Sequence, residues 1–192
     1  MRRLAVAALV LAPAAAVGAQ ATPSTQAPMN HGAMAQQPGA RRAPASPRDT
    51  ARGTVGGVQV TVDYSRPYKK GRPIFAENGL APFGRVWRTG ADRSTTLTTS
   101  GDLLVGDTRL PAGTYTLYSV AGPDTWQLVI NRQTGQWGTV YNESQDFARV
   151  PMQVSQLSAP VEQFTIAVEG GQLVMRWDTR QGAVALRPAG GQ

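Results

Sequence analysis

Residues 64–96 concentrate the groups that could do chemistry. The stretch carries Arg66, Lys69, Lys70, Arg72, Arg85, Arg88 and Arg93, interleaved with Tyr64, Tyr68, Phe75, Phe83 and Trp87. A guanidinium presents a planar fork of donors that matches a carboxylate or a phosphate. An aromatic ring beside it supplies a flat apolar wall. Tyr64, Arg66, Lys70, Arg72, Trp87, Arg88 and Thr89 are therefore the candidate ligand-binding residues. The same cations have a structural alternative. They can pair with Asp63, Glu77 and Asp92 and pin the segment to the body of the fold.

Other chemistries have less to work with. The single histidine, His31, lies well upstream, and cysteine is absent. That removes a Ser-His-Asp triad within the domain, thiol nucleophiles, thiolate metal sites and disulfides. A hydrolase would have to use paired carboxylates. Asp63, Glu77 and Asp92 are the catalytic candidates, because they lie in or beside the unusual segment. Ser65 with Lys69 or Lys70 is a spacing too common to identify anything. Met29, His31 and Met34 offer thioether and imidazole groups that suit copper. A flexible linker could contain the same three residues without binding a metal. Tyr115, Tyr118, Trp126 and Trp177 could make a sugar-stacking platform, but their polar neighbours along the strands favour a core role. No cofactor is expected.

The elements that must position these residues are extended. Val58, Val60, Val62 and Tyr64 alternate with Gln59, Thr61 and Asp63, the period of a half-buried strand. Strands are predicted over 94–99, 103–105, 108–110, 114–120, 126–131, 150–157, 164–168, 173–177 and 183–186. Gly106-Asp107 and Gly170-Gly171 read as hairpin turns. Only Ser144 to Arg149 suggests a helical turn. Nine or ten short strands with regular turns predict an all-β fold, an antiparallel β-sandwich in which a jelly roll is one arrangement. Residues 64–96 interrupt the strand rhythm as one long loop, and loops of that length in compact domains are usually functional or disordered.

The N-terminus reads differently. Arg2 and Arg3, an apolar run from Leu4 to Val17, and the small residues Val17-Gly18-Ala19 make a secretory signal peptide over 1–19. The apolar run is short for a membrane span and Pro13 interrupts it. No membrane span is expected after cleavage, and the expected location is periplasmic or secreted. Residues 20–52 lack apolar periodicity and read as a disordered linker. The domain is assigned to 53–188, with a loose tail at 189–192. The formal charge is +7. Five of the nineteen basic residues precede residue 50, so the domain carries a mild excess of +3. That small excess, with export, argues against nucleic acid as a partner.

Several strings together resemble a known bacterial family, the domain of unknown function 2911. They are Tyr64-Ser65-Arg66-Pro67, Lys70-Gly71-Arg72, Val86-Trp87-Arg88-Thr89-Gly90-Ala91, Thr95-Thr96-Leu97 and Leu110-Pro111-Ala112-Gly113-Thr114-Tyr115. Trp126, Asn131, Trp137-Gly138 and the region from Asp146 to Arg149 also fit. The resemblance runs from about Gly53 to Trp177. It implies an exported protein without assigning an activity. Family members commonly carry Asn-Glu where this chain has Asp92-Arg93. The resulting expectation is a non-catalytic binding module for a small anionic or sugar-like ligand or a cell-envelope partner. A histidine-free carboxylate hydrolase and a structural envelope protein are the alternatives.

Overall fold

The computed structural model describes residues 44–190. The segment expected to be a signal peptide, most of the segment read as linker, Met29, His31, Met34 and the last two residues lie outside the described residues. Ten strands follow in order: β1 (Arg48–Val55), β2 (Val58–Ser65), β3 (Val86–Trp87), β4 (Thr95–Thr99), β5 (Leu103–Val105), β6 (Thr108–Leu110), β7 (Gly113–Ala121), β8 (Trp126–Asn131), β9 (Asp146–Glu169) and β10 (Gln172–Pro188). They pair antiparallel in one continuous sheet, β1-β2-β4-β7-β8-β9-β10-β5-β6, with β3 added on β7. The sheet does not close into a barrel.

The sandwich arises because β9 serves both layers. Its residues 146–152 pair with β8, and residues 153–169 pair with β10. The second half then lies over β1 and β2. Gly53 of β1 sits against Val168, and the Tyr64 hydroxyl accepts from the Ile166 amide at 2.9 Å. Between the layers lie Val60, Val62, Leu97, Leu117, Leu128, Ile130, Phe164, Met175 and Trp177, each at most 3% exposed. Burying side chains of this size stabilises the fold by roughly 1.5–3 kcal/mol each. An all-β antiparallel fold is thus what the period-two alternation forecast.

Besides the short strand β3, which pairs with β7 inside the segment expected as one long loop, two features differ from expectation. Strand β1 starts at Arg48, inside the segment read as linker, and pairs with β2 along its whole length. Its polar composition hid it, because only Val55 of the eight residues is fully buried. The Gly56-Gly57 turn, with φ of 53° and 86°, is the hairpin signal that was there to be read. The second difference is that the strands expected over 150–157 and 164–168 are one strand, as are those over 173–177 and 183–186. The register slips on either side of Asp178, which adopts φ of 52°, so the apparent breaks are bulges rather than turns. The expected helical turn is a 3-10 turn at Glu143–Gln145, capped by Asn142, and the chain is extended again from Asp146.

The long loop is sewn down at many points. The Lys69 amide donates to the Glu162 carbonyl at 2.7 Å, and the Phe164 amide donates to the Pro67 carbonyl at 2.9 Å. Ile74 and Ala81 are buried and bonded to each other through the backbone. Trp87 on β3 stacks on Trp177 at 5.3 Å and meets Phe164 edge-on at 4.9 Å. These contacts anchor the excursion before it reaches Arg88.

Candidate functional site

Two adjoining cavities open on either side of Arg88. The first, of about 340 Å³, is lined by Pro82, Arg85 and Trp87 on the loop side and by Tyr118, Thr139 and Tyr141 opposite. The second, of about 240 Å³, includes Lys70, Arg72, Asp92 and Trp177. Leu80, Trp87 and Arg88 belong to both.

Local backbone geometry puts Arg88 there. Thr89 follows with φ of 51°, a left-handed conformation that a β-branched residue rarely adopts. It is held by hydrogen bonds. Thr95 donates to the Thr89 carbonyl at 2.7 Å, and the Thr89 hydroxyl lies 3.1 Å from that of Ser119. The reversal leaves Trp87 facing the core and Arg88 lining the cavities. The Arg88 stem rests on Gly138, where an added Cβ would stand 3.0 Å from the Arg88 Cδ and 2.7 Å from the Asp92 carbonyl oxygen. The only hydrogen bond from the Arg88 side chain among the described residues runs from Nε to the Gly90 carbonyl, at 3.3 Å. Arg88 lines both cavities, and among the described residues it forms no ion pair and its terminal nitrogens make no hydrogen bond.

The other candidates are distributed unevenly. Arg66 is committed to structure: it donates to the Phe164 carbonyl, the Thr165 hydroxyl and Asp49, and its ion pair with Asp49 spans 3.1 Å. Arg72 donates to the Lys69 and Tyr68 carbonyls while still lining the second cavity. Lys70 is exposed and lies 5.8 Å from the centre of the Tyr68 ring. Tyr64 is 1% exposed, its phenol bonded to the Ile166 backbone; burial pushes its pKa up. Thr89 is fully buried and acts on the turn. Trp87, 8% exposed, offers a ring edge at the cavity floor.

The carboxylates do not converge. Asp63 accepts from the Thr50 hydroxyl on β1. Glu77 is exposed on the loop. Asp92 is exposed, has φ of 58°, and alone of the three lines either cavity. Among the described residues no group of three His, Cys, Asp or Glu side chains could hold a metal.

Tyr141, not among the candidate ligand-binding residues, and Tyr118, expected to be core, complete the wall. Tyr141 donates to Asp146 at 2.6 Å and accepts from Arg149 at 2.9 Å. Asn131 donates to the other Asp146 oxygen at 2.8 Å, which fixes the carboxylate. Burial and then the bond to Asp146 push the Tyr141 phenol up to about 12, so it stays neutral. Tyr118 meets Tyr141 edge-on at 4.9 Å and donates to the Val140 carbonyl at 2.7 Å. Arg180, 5% exposed, is a second missed residue. It donates to the Gly122 and Pro123 carbonyls at 2.8 Å and lies over Phe75 and Phe83. It therefore fixes the outer part of the loop rather than a ligand. Sequence alone offered little signal for Arg180, whose carbonyl partners lie 58 and 57 residues away, whereas Tyr141 bonds to Asp146 and Arg149 close by in the chain.

No curated protein and no solved structure matches the chain. Residues 46–186 match the family model described as protein of unknown function (DUF2911). That match covers most of the chain and takes in Arg88, Tyr141 and the whole lining of the first cavity, so the chain belongs to the DUF2911 family.

Proposed function

We propose that this is a periplasmic or secreted binding module, non-catalytic, whose ligand is a small anion held at Arg88. One observation carries the reading: Arg88 lies between two cavities with its terminal nitrogens uncommitted, whereas Arg66 and Arg72 are tied to the protein. Arg85 lines the first cavity as well, and no carboxylate does. A cleft with two guanidinium groups, no acid and apolar walls favours an anion over a cation or a neutral solute. Export rests on the N-terminal sequence. The scattered Asp63, Glu77 and Asp92 give a hydrolytic reading nothing to work with.

Isothermal titration with a panel of small carboxylates and phosphates tests this. Arg88→Ala should weaken the best anion roughly 10- to 100-fold, the equivalent of one charge-assisted bond. Arg88→Lys should recover only part of the loss, because an ammonium cannot make the forked contact. Unchanged affinity in Arg88→Ala, with the fold intact, removes the reading.

A further inference from the structure

Trp137 is 52% exposed and Val140 is 51% exposed, the two large apolar side chains left in solvent among the described residues. Both sit on the short loop that supplies Gly138, Thr139 and Tyr141 to the wall of the first cavity. Trp87, Trp126 and Trp177 are each less than a tenth exposed, so the indole at 137 is the exception. The loop carrying it is ordered. Trp137 forms an antiparallel bridge with Arg93. The Val140 amide donates to the Trp137 carbonyl at 2.9 Å, and the Gly138 amide donates to the Asp92 carbonyl at 2.8 Å. Gly138 in turn packs against the Arg88 stem. A half-exposed indole on a backbone-bonded loop thereby stands one residue from the wall of the first cavity, which carries Arg85 and Arg88 and no carboxylate.

What makes the exposed Trp137 informative is its place beside the cleft, together with Val140 on the same loop. A pyranose suits the position. Its axial C–H face packs on an aromatic ring while its hydroxyl rim stays in water, so the platform need not be enclosed. Arg88 and Arg85, which line the neighbouring cleft, supply guanidinium groups that suit a carboxylate on the same ligand. On this basis, and resting on the anion-binding reading above, we infer that the ligand is an acidic saccharide, a hexuronic acid residue or short oligouronide, with Trp137 as its stacking platform. The tyrosine and tryptophan residues on the strands do not serve this role, because Tyr115, Tyr118, Trp126 and Trp177 are buried.

The test compares galacturonate, its short oligomers, glucose oligomers and acetate, by titration and by acrylamide quenching of tryptophan fluorescence. The folded full chain, Trp137→Ala and Arg88→Ala are measured side by side. The wild type should bind the uronides more tightly than either acetate or the glucose oligomers. Uronide should shield its most accessible tryptophan from acrylamide. Trp137→Ala should lose about tenfold or more for uronide, keep its affinity for acetate, and keep its melting temperature, since the side chain stands in solvent. Equal uronide binding by Trp137→Ala and wild type overturns the saccharide inference while leaving the anion site intact. Glucose oligomers binding as tightly as uronides also overturns it. If no anion binds the wild type at all, the underlying anion reading falls as well, and acetate identifies which of the two has failed.

Discussion

Arginine has two roles in this molecule, and each side chain's surroundings decide which one it plays. Arg66 and Arg180 spend their donors on backbone carbonyls and neighbouring side chains, and Arg88 retains free ones. Arg180 is the clearest structural case. Its guanidinium is buried between two aromatic rings and satisfies the carbonyls of the turn before β8. Burial lowers its pKa from the usual arginine value. Arg180→Ala would leave both carbonyls short of a partner and the rings of Phe75 and Phe83 without their covering plane. Urea unfolding should show a loss of about 3 kcal/mol with an unchanged slope. A loss below about 0.5 kcal/mol would mean the loop is held by its other contacts alone. Sequence could count these arginines but could not sort them. Arg66 and Arg88 are both embedded in aromatic, proline- and glycine-bearing strings, and only the tertiary contacts of Arg66 with Asp49, Phe164 and Thr165 separate their fates.

At the scale of elements, the decisive contacts are close approaches between strands far apart in sequence. Gly53 on β1 crosses β9 so closely that a Cβ would lie 2.5 Å from the Val168 Cγ1 and 2.8 Å from its carbonyl oxygen. Because part of that obstacle is backbone, it cannot rotate away. Gly53→Ala should therefore destabilise by about 1–3 kcal/mol, read as a lowered melting temperature. A neutral result would show that β1 does not pack on β9 in solution. Gly138 makes the complementary case near the site. Gly138→Ala would push against the Asp92 carbonyl and the Arg88 stem, so it should impair anion binding more than stability. Most strands were legible from alternation and turn residues, including Trp126–Asn131 to the residue. Strand β1 was not, since a polar edge strand buries too little to mark itself.

For the whole molecule, the tyrosines give stability a pH dependence. Tyr64, Tyr115 and Tyr118 all have raised pKa values, with burial as the leading cause, and Tyr141 reaches about 12. The unfolded chain would lose these protons near pH 10 while the folded chain still holds them. Stability is therefore unaffected by these groups below about pH 10 and falls as pH rises from about 10 to 12. Denaturant midpoints measured across that window should decline, and Tyr141→Phe should flatten part of the decline. A flat profile up to pH 12 would contradict the burial of these phenols.

The sequence by itself determined the all-β class, the strands other than β1 and β3 up to the merging of two pairs, the hairpins at Gly106 and Gly170, and the richness of residues 64–96 in cations and rings. These are local properties: side-chain alternation and turn preference act over two to eight residues. Only the tertiary structure decided that β9 bends from one layer to the other, that Thr89 turns Arg88 toward the cavities, and that Gly138 and Tyr141 form the opposite wall. Those outcomes depend on contacts that a two-to-eight-residue pattern does not join, such as Thr89 with Ser119 and Gly138 with Arg88. No local pattern encodes such pairings, because they form only when the two halves of the sheet close on one core.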